Sequence, residues 1–161
     1  MTDGGFRLNE QEQMVEKMVR QWCERTLLPK VPALEAGELE PWPLMREFAR
    51  TFGLDQMAAA SVKKRIARLR EGAEGKEDLM EGMGGSPMLG YVVVKELSRV
   101  SPGFAMGWGV SVGLAGGAIL AKGTPAQKRR WALPILTMEK VAASSCRNLP
   151  SGFLQVLIAL R

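Results

Sequence analysis

Residues 103–121 read GFAMGWGVSVGLAGGAILA, nineteen positions without a formal charge, six of them glycine. Three structures fit such a run. A transmembrane helix needs about 20 apolar residues, and the pairs Gly109/Gly113 and Gly113/Gly117 have the spacing that lets membrane helices approach closely. The glycine load argues against it, because few large aliphatic side chains remain to drive insertion. A nucleophile turn is the second candidate, since Gly109-Val110-Ser111-Val112-Gly113 matches Gly-x-Ser-x-Gly by letter. That motif needs a preceding strand pattern and a histidine, and the chain contains no histidine. The third candidate, a buried helix in a helical bundle, is the reading adopted. Each glycine costs about 1 kcal/mol relative to alanine in a helix. From composition alone, that cost means either close packing of helices or the wall of a cavity.

The flanks set the helical frame. Pro87 opens a helix through Val100, with Leu89, Val92, Val93 and Leu97 at helical spacing. Pro102 and Gly103 interrupt it, the uncharged helix follows, and Gly123 ends that one. Thr124, Pro125 and Gln127 form a capping box for a last helix carrying Trp131, Leu133, Ile135 and Leu136, with Pro134 shortening it. Upstream, Asn9 and Glu12 form another capping box, and Val15, Met18, Val19 and Trp22 give the first helix one apolar face. Pro29 and Pro32 interrupt it, and Gly37 ends it. A second helix spans 43–52, with Leu44, Met45, Phe48 and Phe52 inward and Gly53 as terminator. Residues 57–82 are less regular. Val62, Ile66 and Leu69 make a narrow stripe there, and five basic residues of 63–70 take the other faces. The glycines of 82–85 resemble a phosphate loop only superficially, without its Lys-Ser/Thr ending. The expected fold is all-α, a bundle of about five to six helices.

With 161 residues the chain fits one domain, which buries roughly 70% of its unfolded surface. Its 46% hydrophobic and 24% charged residues are ordinary for a globular chain. The net charge of +5 suits acidic partners, or simply a solvated basic surface. The absence of histidine removes Ser-His-Asp and Cys-His catalysis and histidine metal sites within the chain. Two distant cysteines, Cys23 and Cys146, make neither a disulfide framework nor a convincing zinc site. Cys23, beside Trp22, reads as core filler. No metal site is expected, and residues 1–11 do not form a secretory signal, so the default compartment is cytoplasmic.

Taken together, Leu8-Asn9-Glu10-Gln11, Val94-Lys95-Glu96-Leu97-Ser98-Arg99-Val100-Ser101-Pro102-Gly103, the apolar helix, 123–134 and Glu139-Lys140-Val141-Ala142-Ala143 resemble the N-terminal helical domain of the acyl-CoA dehydrogenase family. The likeness covers residues 8–143 and lies in the order of the pieces. It implies a flavoenzyme of fatty acid metabolism, assembled as a homo-oligomer, that binds FAD and an acyl-CoA substrate. In that family a carboxylate takes the α-proton and a hydride leaves the β-carbon for flavin N5. It also implies that Ala105, Met106, Gly109, Val110 and Gly113 face or approach the acyl pocket. The small Gly109 and Gly113 then suit long or bulky acyl groups.

Two departures qualify the likeness. The basic segment 62–70 and acidic 77–81 replace a short turn, as a surface elaboration, a contact for CoA phosphates or a contact for another subunit. After Lys140 the flavin-contacting Thr-Glu-Pro…Gly-Ser-Asp motif is missing. Residues 1–143 therefore read as the helical domain and 144–161 as a divergent apolar tail, a strand or a helix. A truncated or frame-shifted start of the family's middle β-domain would give such a tail, and so would a deliberately isolated domain. No residue reads as the catalytic base, because the glutamates mostly fall on solvated helix faces. The chain alone is expected to be inactive, with FAD not bound by it alone. Neither membrane insertion nor nucleic-acid binding is expected. The rival reading is a non-enzymatic helical module that packs against a partner chain.

Overall fold

The computed structural model describes residues 8–70, 87–145 and 155–159. Helix α1, Glu10–Trp22, starts at the predicted capping box: Asn9 Oδ1 accepts from Glu12 N–H and Glu12 Oε2 accepts from Asn9 N–H, both at 2.9 Å. Pro29 and Pro32 do not end the chain's helical course. It absorbs their missing N–H groups in a widened turn over Cys23–Leu27 and a tight turn over Leu28–Lys30, then continues as α2, Val31–Glu35. Gly37 (φ 73°) closes α2, and Gly53 (φ 65°) closes α3, Pro41–Thr51. Both are left-handed positions that a side chain would strain.

Helix α4 runs Leu54–Arg70, so the irregularity expected from residue 57 is absent up to Arg70. Val62 and Ile66 are buried and Leu69 is exposed. The glycine cluster at 82–85 and Cys146 lie outside the described residues. Helix α5 spans Pro87–Val100. Ser101 Oγ accepts from Phe104 N–H at 3.2 Å and starts α6, Pro102–Trp108. The helix widens over Gly109–Gly116 and regains regular geometry as α7, Gly117–Lys122, giving one continuous rod, Pro102–Lys122. Thr124 and Gln127 cap α8, Pro125–Gln127, which continues through Lys128–Ala132 into α9, Leu133–Leu136.

The fold is all-helical, followed by one two-stranded antiparallel ribbon. Strand β1, Val141–Ser145, pairs with β2, Gln155–Ala159, in a register running from Val141 opposite Ala159 to Ser145 opposite Gln155. Of strand or helix for the tail, residues 155–159 take strand.

Helices α1 and α5 lie side by side and point the same way, because their ion pairs advance together: Glu16 with Lys95, Arg20 with Glu96, Glu24 with Arg99. The core gathers around four aromatic rings. Phe48 stands 4.9 Å from Trp22 and 5.2 Å from Trp108, both edge-on, and Phe104 lies 6.4 Å from Trp22. Cys23 is fully buried at this core, as its position beside Trp22 suggested, and burial pushes its thiol up to about 11.

Candidate functional site

The rod Pro102–Lys122 has two sides. Phe104, Ala105, Trp108, Ser111, Val112, Ala115 and Leu120 are buried. The opposite side is open. Met106 is 67% exposed and Leu114 52%, and between them Gly109, Val110 and Gly113 are partly exposed. The rod is long and apolar enough to cross a membrane by length and composition, yet 44% of it is buried against the bundle. An apolar helix of this kind was expected to be buried all round. Instead it forms a boundary, with one face in the core and one uncovered.

The glycines divide between the two roles that composition left open. A Cβ on Gly107 would lie 2.8 Å from Met45 Cε, and one on Gly116 would lie 2.7 Å from Leu136 Cδ2. Both sit at close helix contacts. A Cβ on Gly109 or Gly113 meets no heavy atom within 4 Å. These two glycines thus add no packing contact and keep the open face low.

Of the five pocket residues implied by resemblance, Met106, Gly109, Val110 and Gly113 share this open face. Ala105 does not. It is 6% exposed and packs in the core with Phe104 and Trp108. Leu114, which the sequence reading passed over, belongs to the open face. Its spacing of eight from Met106 was the available signal.

Ser111, the serine of the Gly-x-Ser-x-Gly string, is structural. Its hydroxyl donates to the Ala142 carbonyl at 2.9 Å and lies 3.3 Å from the Ala142 N–H, which it accepts. It therefore pins the rod to the first turn of β1, inside a helix rather than on a strand-to-helix elbow. Ser111→Ala is expected to lower stability by about 1–2 kcal/mol, since two buried polar groups lose a partner. A melting temperature about 3–6 °C lower would register it. An unchanged melt would mean that the bond does not hold the strand.

Glu96 departs from the expectation of solvated glutamates. Its side chain is wholly buried between α1 and α5. It accepts from Arg20 Nε at 3.0 Å, Arg20 Nη2 at 2.8 Å and Arg99 Nε at 3.1 Å. These bonds, with Arg20 foremost, hold its carboxyl below the usual carboxylate range despite burial. A carboxylate so engaged is a poor base, and it lies in the α1–α5 seam. Among the described residues no three His, Cys, Asp or Glu side chains gather as metal ligands.

The open face carries no charge, and its polar neighbours Ser111 and Trp108 are buried on the other side. It suits a hydrocarbon chain. It does not fit a flavin, whose ring edge and pyrophosphate need hydrogen-bond donors that the described residues do not gather there.

What the fold and face define is an all-helical domain with one uncovered, glycine-lowered wall. Residues 76–139 match the family model described as Acyl-CoA dehydrogenase, N-terminal domain. The chain carries an acyl-CoA dehydrogenase N-terminal helical domain over that stretch. The match takes in α5, the rod and α9, and leaves α1 to α4 outside it. No curated protein and no solved structure matches the chain.

Proposed function

We propose that this chain supplies one wall of the acyl-chain pocket in a flavin-dependent acyl-CoA dehydrogenase, an oxidoreductase that forms the α,β double bond of acyl-CoA thioesters. The observation that carries the reading is the open, uncharged face at Met106, Gly109, Val110 and Gly113, within the stretch that matches the family. The family is generally FAD-dependent. Flavin and catalytic base belong to elements other than this wall, and residues 144–161 stand apart as a tail. Full activity then requires an assembly, plausibly of several copies, that closes the pocket over the rod.

The wall acts by excluding water from an acyl chain laid along it. Burial of one methylene contributes about 0.8 kcal/mol, or about fourfold in affinity, as an upper limit. Titration calorimetry of the full chain with acyl-CoAs of increasing length is therefore expected to show affinity rising with length. Gly113→Leu and Gly109→Leu should fold normally, because nothing stands within 4 Å of either Cβ, and should flatten that rise. Affinity independent of length in the unaltered chain, or a slope untouched by both leucines, would sink the reading.

The second reading, a module whose rod packs against a partner chain, draws on the same exposed Met106 and Leu114. It predicts no dependence on acyl length.

A further inference from the structure

Lys128 is buried in a place where nothing neutralises it. It lies in the helical segment that follows the Thr124 cap, is 4% exposed, and packs in the seam where α4 meets 128–136. Among the described residues it has no hydrogen-bond or ion-pair partner. Burial and the neighbouring Arg65 both push its ammonium pKa down. An uncompensated buried ammonium is strongly disfavoured. The surroundings add to its charge rather than cancel it: Lys63, Lys64 and Arg68 lie exposed on α4, and Arg129 and Arg130 on the next turn.

We propose that Lys128, with Arg65 beside it, forms an anion-binding site in the seam between α4 and 128–136, and that its ligand is a phosphate group. The two cations set the chemistry. An ammonium offers three donors and a guanidinium a planar fork. A phosphate dianion has oxygens enough for both and balances two positive charges, where a single carboxylate balances one. The exposed cations around the seam raise the local potential and concentrate anions there. This site is separate from the open face of the rod, whose function it does not presuppose.

The full chain melted in inorganic phosphate, against chloride at matched ionic strength, tests the site. At about ten times the dissociation constant the melting temperature should rise by about 3–6 °C. Lys128→Met should remove the response while raising the melting temperature in chloride. Lys63→Gln/Lys64→Gln should keep the response, because those side chains are exposed. Adenosine monophosphate in place of phosphate tells whether the seam also takes a phosphate carried on a larger molecule; a response to either ligand supports the site. A second readout needs no mutant fold: in 13C-lysine-labelled protein the Lys128 Cε resonance should titrate at higher pH once phosphate is added. The proposal falls if neither ligand shifts the melt, if Lys128→Met responds as the unaltered chain does, or if the resonance does not move.

Discussion

Phe48→Ala is expected to remove about 4 kcal/mol of stability, enough to lower the melting temperature by about 10 °C or more. Phe48 has no exposed surface, and it stands at the centre of the aromatic core. Trp22 and Phe52 lie 4.9 Å away and Trp108 5.2 Å, the two tryptophans edge-on at 63° and 87°. Truncation therefore loses the transfer energy of the ring, leaves a cavity, and breaks three ring contacts of about 0.5–1.5 kcal/mol each. A domain with 5–15 kcal/mol in all feels such a loss strongly. The consequence reaches the open face. Trp108 sits on the buried side of the rod, so the ring that Phe48 holds fixes how Met106 and Gly109 are presented. Near-ultraviolet circular dichroism of the tryptophans should weaken together with the melt. Phe48→Leu, which keeps more volume, should lose less. A Phe48→Ala melt within 2 °C of the unaltered chain would mean that the aromatic cluster does not carry the core.

The helical frame was legible because local chemistry dictates it. Asn9 with Glu12 and Thr124 with Gln127 close their capping boxes, and Gly37 and Gly53 take the left-handed conformation that ends a helix. The limits of α5 follow from Pro87 and from Ser101-Pro102. Three features were not legible, and each depends on contacts between distant residues. Glu96 looks like any helix-face glutamate until α1 brings Arg20 to it, 76 positions away. Ser111 reads as part of a hydrolase string until Ala142 takes its hydroxyl. The glycines look alike in sequence, yet Gly107 and Gly116 meet Met45 and Leu136 while Gly109 and Gly113 meet nothing. The uncharged run also hid its two-sidedness. When both faces of a helix are apolar, periodicity cannot tell the buried face from the open one. Here only the packing of α3, α5 and α9 decides it.

Glu96→Gln is expected to cost about 2 kcal/mol near neutral pH, a fall in melting temperature of about 4–8 °C. The amide keeps the shape but loses the charge that both arginines donate to. Removing one partner of a fully buried pair typically costs 3–5 kcal/mol. The cost here is smaller because Arg20 and Arg99 are each 43% exposed and can turn to water. Acid separates this network from ordinary packing. The folded-state pKa of Glu96 lies below its unfolded value of about 4.3. Its contribution is therefore complete above that value, and it is lost as pH falls through it toward the lower folded value. The unaltered chain should lose stability across that window more steeply than Glu96→Gln, whose amide does not titrate. The two stability curves, well separated at pH 7, should converge in strong acid. Denaturant unfolding of both proteins across the acid range measures this directly. Parallel curves would show that the carboxylate of Glu96 does not hold α1 to α5. The clasp would then be only geometry, and the α1–α5 seam would rest on its apolar contacts, Val19 against Val93 and Leu97 in the shared core.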